Sequence, residues 1–258
     1  MIDTSRYKIV FVTQDEPFYI EYFFRKFLKA YNYKKIDIKG VYIQETLLNQ
    51  KSFLDTVFEF YKIFGITVCM GLATRLIRAK FKFFFKTSGL KFVLNKNNVP
   101  IKKFSSVNSK EFREWCAKND VDIIISVANG EIFRTKILET PKLGCWNIHN
   151  SKLPFYRGMM PLFWCMWDGA SNATVSIHRM LRKLDAGNIL EQKSFETSDR
   201  SLHELSIECK LLAADLLVDA LKDPRAKGTP IEISEGSYFK MPSRADYVEF
   251  LKQGNRFF

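Results

Sequence analysis

The sequence lacks the glycine-rich loops with which many α/β proteins hold phosphate groups. Neither GxGxxG nor GxxxxGK[ST] occurs, and the turn after the first apolar run, TQDEPF, contains no glycine. Such turns need glycine because backbone N–H groups must approach the phosphate closely. We therefore expect neither an NAD-type dinucleotide site nor a P-loop.

Cysteine is scarce and shows no pairing pattern. The five cysteines are odd in number, far apart and free of any CxxC: Cys69, Cys116, Cys145, Cys165 and Cys209. This usage argues against a disulfide framework and a zinc site, and it favours a reducing, cytoplasmic setting. No metal is expected. The amino terminus has no small-residue cleavage site after its short apolar run, so we expect no signal peptide.

Strand-like and helix-like segments alternate along most of the chain, whose 47% hydrophobic content is ample for a packed core. We predict a buried first strand at KIVFVT and a second strand at IDIKGVYIQ. The segment between them, PFYIEYFFRKFLKAYN, is predicted to form a helix. The alternation of strand and helix then resumes: a strand at VPIKKF, a helix at NSKEFREWCAKNDV and a strand at DIIISVAN. The expected fold class is α/β: a Rossmann-like open, mostly parallel sheet with helices on both faces. Residues 201–258 add a helix with a Ser201–Glu204 capping box, then a polar, aromatic tail with a short helix from Arg244 to Lys252.

The segment from about 52 to 91 interrupts this alternation. No uncharged run in it reaches the roughly 18 residues of a spanning helix, so we expect no membrane span. Its second half interleaves basic residues (Arg75, Arg78, Lys80, Lys82, Lys86) with phenylalanines (Phe81, Phe83, Phe84, Phe85). One interpretation is a surface helix, Arg75–Lys86, that contacts an anionic membrane or an acidic partner. The other, favoured by the general burial of phenylalanine, is an insertion with core phenylalanines and solvated lysines.

The stretch from Gly144 to Gln192 holds most of the site-like chemistry. Asn147 and His149 share one face of a predicted strand because they are two residues apart, and the turn LDAGN carries Asp185. Acyl transfer to an amine needs oxyanion donors, a group that titrates near neutral pH and a proton acceptor. Asn147 and His149 can stabilise the oxyanion, and Asp185 can hold the imidazole.

The same residues also have simpler interpretations. A single histidine on a strand is often structural, and an aspartate next to a glycine-containing turn is often only a turn former. Metal ligation by His149 and His178 is disfavoured, because no third ligand has a recognisable spacing.

The segment from about Asp122 to Gln192 resembles the folate-dependent formyltransferase family. The family pattern is Asn-x-His, then Ser-Leu-Leu-Pro-x-Tyr-Arg-Gly, then a strand often carrying a histidine, then Leu-Asp-x-Gly. The matching positions are Asn147, His149, Ser151, Leu153, Pro154, Tyr156, Arg157, Gly158, His178, Leu184, Asp185 and Gly187. The resemblance implies that Asn147, His149 and Asp185 are catalytic and that 10-formyltetrahydrofolate is the formyl donor. It also implies folate contacts from Ala128, Asn129, Gly130, Ile132, Phe133, Lys183 and Leu184. Substrate or loop roles fall to Ser151, Pro154, Tyr156, Arg157, Gly158 and His178.

The acceptor implied by the resemblance is a primary amine, and we expect an amino sugar or nucleotide sugar. The missing glycine-rich loop counts against glycinamide ribonucleotide. Methionyl-tRNA is disfavoured because the chain leaves little room for a tRNA-binding domain after the catalytic one, although the formal net charge of +12 suits a nucleic acid. A formyltetrahydrofolate hydrolase and a non-catalytic membrane- or nucleic-acid-binding relative are the remaining alternatives. The expected organisation is a catalytic domain over residues 1–200, with residues 201–258 packing on it.

Overall fold

The computed structural model describes residues 6–44, 53–84 and 88–258. The strands of the main sheet are β1 (Tyr7–Gln14), β2 (Ile36–Gln44), β3 (Ile101–Lys102), β4 (Ile123–Val127), β5 (Cys145–His149), β7 (Asn172–Arg179) and β8 (Ile189–Glu196). They lie in the order β3-β2-β1-β4-β5-β7-β8. A second, two-stranded sheet pairs β6 (Arg157–Gly158) with β9 (Tyr238–Phe239).

The pairings from β3 through β5 are parallel, and the pairings of β7 with β5 and with β8 are antiparallel. The predicted open, mostly parallel α/β sheet is therefore confirmed. The chain passes from β3 at one edge to β4 beside β1, so the strand order reverses between β1 and β4. In open α/β sheets ligands bind beyond the carboxyl ends of the strands near such a reversal.

The helices are α1 (Ile20–Ala30), α2 (Phe53–Phe84), α3 (Leu90–Lys96), α4 (Lys110–Lys118), α5 (Thr135–Leu138), α6 (Pro161–Trp167), α7 (Leu202–Ala220) and α8 (Arg244–Lys252), with a 3-10 turn at Ile233–Glu235. They cover both faces of the sheet. Ile9 and Phe11 of β1 enter the larger core with α1 and α7, whereas Val10 and Val12 enter a smaller core with α4 and α5. This alternation follows from the two-residue period of a strand.

The α2 helix is the least regular part of the described fold. Gly65 has non-helical backbone angles (φ 76°, ψ −179°), so α2 is two helical halves joined at this residue. Phe64 is buried against Tyr247 and Phe257, and Arg244 donates a hydrogen bond to the Ile63 carbonyl oxygen (3.0 Å). The α2 helix is thus fixed to α8 and to the carboxy-terminal residues.

Two findings bear on the expectations for this segment. Phe58 and Phe81 are exposed, so a helix with only core phenylalanines is wrong, whereas Phe64 is buried as that interpretation requires. Val57–Arg78 is also long and apolar enough to cross a bilayer by length and composition, which the count of uncharged residues did not predict. One such helix is weak evidence for a span. Lys86, the predicted end of the basic segment, lies outside the described residues.

Phe11 provides a test of the larger core. Its ring makes edge-to-face contacts with Phe24 and Phe27, both at 5.2 Å between centroids. We expect Phe11→Ala to lower the free energy of unfolding by about 3–5 kcal/mol, because it removes buried contacts and leaves a cavity. Chemical denaturation measures this loss. Tyr33→Ala, at an exposed position, is the control, and equal losses in both variants would contradict the assigned core.

Candidate active site

The site forms where β5 and β7 pair. The antiparallel register sets Asn147 directly opposite His178, so their side chains lie on the same face of the sheet. Asn147 Nδ2 lies 3.2 Å from His178 Nε2, and His178 Nδ1 lies 2.9 Å from the Arg179 carbonyl oxygen. A carbonyl oxygen can only accept, so Nδ1 carries the His178 proton and Nε2 accepts from the Asn147 amide. His178 thereby fixes the orientation of Asn147 and leaves one amide N–H of Asn147 unused by this bond.

His178 is suited to this accepting role because it stays neutral. Its side chain is almost fully buried. Burial, reinforced by the nearby His149, lowers the pKa of His178 to about 4, and the opposing effect of Asp185 is smaller. At neutral pH the Nε2 lone pair therefore remains available to Asn147.

Asp185 lies in the turn between β7 and β8 and faces both histidines. Its Oδ1 atom is 3.9 Å from His149 Nδ1 and 3.8 Å from His178 Nε2. Both separations exceed a direct hydrogen bond. The other carboxylate oxygen, Oδ2, accepts from the Gly158 amide (3.1 Å). Asp185 is thus positioned by a backbone donor, with its second oxygen directed between the two imidazoles.

His149 is oriented by a different partner from the one the sequence suggests. His149 Nε2 lies 3.1 Å from the Tyr156 carbonyl oxygen, so this nitrogen carries the proton and donates it. His149 Nδ1 then faces Asp185 across the 3.9 Å gap. The direct hydrogen bond to the imidazole is therefore made by the Tyr156 carbonyl, while Asp185 faces the other ring nitrogen without a direct bond.

The loop between β5 and α6 is braced by the carboxy-terminal part of the chain. The Tyr156 amide donates to Ser237 Oγ (2.9 Å), and the Arg157 amide donates to the Ser237 carbonyl oxygen (3.1 Å). Gly158 has φ 97°, and a side chain there would collide with the Phe239 carbonyl. The structure therefore explains why glycine is needed at 158. No local sequence signal identifies Ser237 or Phe239, because they contact the loop across about 80 residues.

Other predicted loop residues have structural contacts. The Ser151 hydroxyl is buried and donates to the Phe155 carbonyl oxygen (2.8 Å). Pro154 follows a cis peptide bond. The Arg157 Nε atom is buried without a hydrogen-bond partner among the described residues. Among these loop residues, Arg157 is thus the one with a buried donor left unsatisfied within the described part of the chain.

The loop predicted to contact folate begins beside His149, since Val127 at the end of β4 pairs with Ile148. Gln44 holds this loop: its side chain donates to Glu131 (2.9 Å) and accepts from the Gly130 amide (3.3 Å). The Asn129 side chain donates to the Glu131 carbonyl oxygen and accepts from the Glu131 amide. The sequence did not indicate Gln44 or Glu131 as site residues.

The side chains of the predicted folate contacts differ in exposure. Ile132 and Leu184 are exposed large apolar residues, Lys183 is exposed, and Phe133 is buried in the smaller core. Ala128 has φ 51°, and Asp185, which follows Leu184, has φ 49°. Exposed apolar side chains on two loops that both approach His149 fit a flat, aromatic ligand such as a pterin.

The fold and these side chains define a class: an open α/β protein with an Asn-His-Asp site beyond the carboxyl ends of its central strands. The sequence model of the formyl transferase family matches residues 86–221, more than half of the chain. The protein belongs to the formyl transferase family.

Relatives within the family differ in what they act on. Methionyl-tRNA formyltransferase from Thermotoga maritima is 36% identical over 169 residues, which cover 64% of this chain and 51% of that protein. The chain thus spans about half the length of this relative.

Solved structures share the fold. Phosphoribosylglycinamide formyltransferase from Anaplasma phagocytophilum superposes with a TM-score of 0.58 at 14% identity, covering 84% of this chain and 86% of that one. The formyltransferase PseJ from Anoxybacillus kamchatkensis, solved with UDP-4,6-dideoxy-4-formamido-L-AltNAc and tetrahydrofolate, gives a TM-score of 0.50 at 23% identity, covering 60% and 82%.

The protonation state of His178 can be measured directly. We expect NMR titration of the ¹⁵N-labelled imidazoles to show His178 neutral from pH 7 down to near its pKa of about 4, because burial disfavours the charged ring. The His178→Gln variant assigns the signal. A His178 ring that gains its proton near pH 6.5, the ordinary value, would contradict the buried, accepting role.

The same shift has a consequence for stability. The unfolded chain binds the His178 proton near pH 6.5, whereas the folded protein binds it only near pH 4, so acid favours unfolding between these values. The stability contributed by neutral His178 is complete above pH 6.5 and is lost as the pH falls toward 4. Thermal unfolding across this range should show a shallower loss in His178→Gln than in the parent protein.

Proposed function

We propose that this protein transfers a formyl group from 10-formyltetrahydrofolate to a primary amine. The observation that carries the proposal is the convergence of Asn147, His149 and Asp185 beside the β5–β7 pairing, with His178 orienting Asn147. Family membership supports it. The folate supplies the formyl group, and Ala128–Phe133 and Lys183–Leu184 are the segments proposed to hold it.

The geometry assigns a role to each side chain. The Asn147 N–H that His178 does not use is available to stabilise negative charge developing on the formyl oxygen, and His149 stands two residues away on the same strand face. Asp185 Oδ1 is the proton acceptor for the attacking amine, because its other oxygen is already held by the Gly158 amide. The amine itself is the nucleophile.

For the acceptor, we propose an amino sugar carried on a nucleotide. The PseJ complex contains a formamido sugar nucleotide together with tetrahydrofolate, and PseJ covers 60% of this chain. In this protein, the Glu16 carboxylate accepts hydrogen bonds from the Tyr19 (3.0 Å) and Ile20 (3.2 Å) amides at the start of α1. The Glu16 carboxyl group thus already accepts from the amides of the helix terminus that would hold a phosphate after β1, which counts against glycinamide ribonucleotide.

Methionyl-tRNA is the second candidate acceptor. The Thermotoga maritima relative is named for that substrate and is 36% identical to this chain. The sequence from residue 60 to residue 110 also holds eleven lysines or arginines and no acidic residue, and such a run suits a phosphate backbone. A direct assay of formyl transfer to each acceptor distinguishes the two candidates.

Asn147→Ala tests the catalytic assignment. We expect formyl transfer to fall on the order of 100 to 1000-fold, because an oxyanion donor is lost, while folate binding by calorimetry is retained. Asn172→Ala, an exposed asparagine at the start of β7, is the matched control and should keep the parent rate. Full activity in Asn147→Ala would exclude the proposed role.

Acceptor identity is tested by offering three amines to the protein with 10-formyltetrahydrofolate. We expect formylation of a UDP-linked amino sugar and none of glycinamide ribonucleotide, because Glu16 occupies the α1 terminus. Mass spectrometry of each acceptor reports the transfer. Formylation of methionyl-tRNA alone would establish the second candidate, and release of formate without any acceptor would identify a hydrolase.

A further inference from the structure

The second half of α2 carries apolar side chains on two opposite faces. Val68 is buried, and on the same face the Gly71 backbone lies against the Phe258 ring, which leaves no room for a side chain at 71. Four residues on, the Arg75 guanidinium stacks over the same ring (3.7 Å). This face is the one that fixes α2 to the carboxy-terminal residues.

The opposite face is apolar and faces solvent. Ile66, Met70 and Ile77 are 60%, 62% and 67% exposed. Their spacing of four and seven residues places them on one stripe of the helix, about half a turn from Val68 and Arg75. Large apolar side chains aligned on an exposed helix face mark a surface that contacts another apolar phase or partner.

Charge decides which partner fits this stripe. No aspartate or glutamate occurs between Glu59 and Glu111, and the intervening residues include eleven lysines or arginines. Arg78, adjacent to the stripe, is exposed. A second copy of this chain would bring the same positive charge to the interface and would be repelled. An anionic bilayer satisfies both features, since its interior accepts the apolar stripe and its headgroups attract the basic side chains.

We propose that the α2 stripe Ile66, Met70 and Ile77 docks this protein on the surface of an anionic membrane, with the helix lying in the interfacial plane. The helix does not cross the bilayer, because its opposite face is committed to Val68, Gly71 and Arg75 contacts within the protein. This proposal does not depend on the formyl-transfer reaction, because it is tested by measuring binding of the protein to vesicles.

The test is co-sedimentation of the full chain with phosphatidylcholine vesicles, with and without phosphatidylglycerol. We expect binding only when phosphatidylglycerol is present, and release at high salt because the attraction to headgroups is screened. Met70→Ser/Ile77→Ser should weaken binding by more than about tenfold. Arg78→Glu should weaken it by roughly tenfold as well, because a cation is exchanged for an anion near the surface.

Matched controls keep the test specific. Tyr33→Ser removes a side chain of similar exposure (64%) from another surface, and Lys34→Glu makes the same charge change away from α2. Both should bind like the parent protein, and circular dichroism should show that every variant is folded. Failure of the parent protein to bind anionic vesicles would overturn the proposal, as would equal losses in the controls.

Two further outcomes would also overturn it. A dimer in analytical ultracentrifugation that dissociates in Met70→Ser/Ile77→Ser would identify the stripe as an interface between copies. Protein that resists both high salt and alkaline carbonate and needs detergent for release would identify a spanning helix instead.

Discussion

The antiparallel pairing of β7 with β5 is the constraint on which the site depends. After β5 the chain passes through β6 and α6 and returns antiparallel to β5 as β7, which sets His178 opposite Asn147. The turn into β8 then delivers Asp185 to the same end of the sheet within seven residues of His178. One change of strand direction therefore gathers an amide, two imidazoles and a carboxylate, all of which a purely parallel sheet would distribute over separate connections.

Burying the two imidazoles and the carboxylate costs solvation, and hydrogen bonds to the backbone compensate for this cost. The Tyr156 and Arg179 carbonyls each accept from an imidazole, and the Gly158 amide donates to Asp185. The two carbonyl bonds also fix which nitrogen of each imidazole carries a proton, because carbonyl oxygens only accept. The orientation of the two imidazoles and of Asp185 thus depends on main-chain positions, which in turn depend on Ser237 and on the β6–β9 pairing.

Local patterns in the sequence predicted the regular elements well. IDIKGVYIQ forms β2 at the predicted residues, and α8 spans the predicted Arg244–Lys252. The family motif pointed to Asn147, His149 and Asp185, which the fold brings together. What sequence reasoning missed is non-local: the β9 brace, the Gln44–Glu131 bond and the carbonyl that orients His149. These features depend on a strand pairing of only two residues and on single hydrogen bonds, which leave no periodic pattern in the sequence.

The α2 helix, which has apolar side chains on two opposite faces, shows why the general burial of phenylalanine was a poor guide to this segment. A helix needs only one apolar stripe to pack on a protein, and Phe64 and Val68 already provide it. The opposite apolar stripe adds nothing to that packing and costs solubility, so folding alone does not account for it. The same helix is bonded to Arg244, five residues after β9, which pairs with the loop that holds Asp185. The α2 helix is therefore connected, through Arg244 and β9, to the loop whose Gly158 amide holds Asp185.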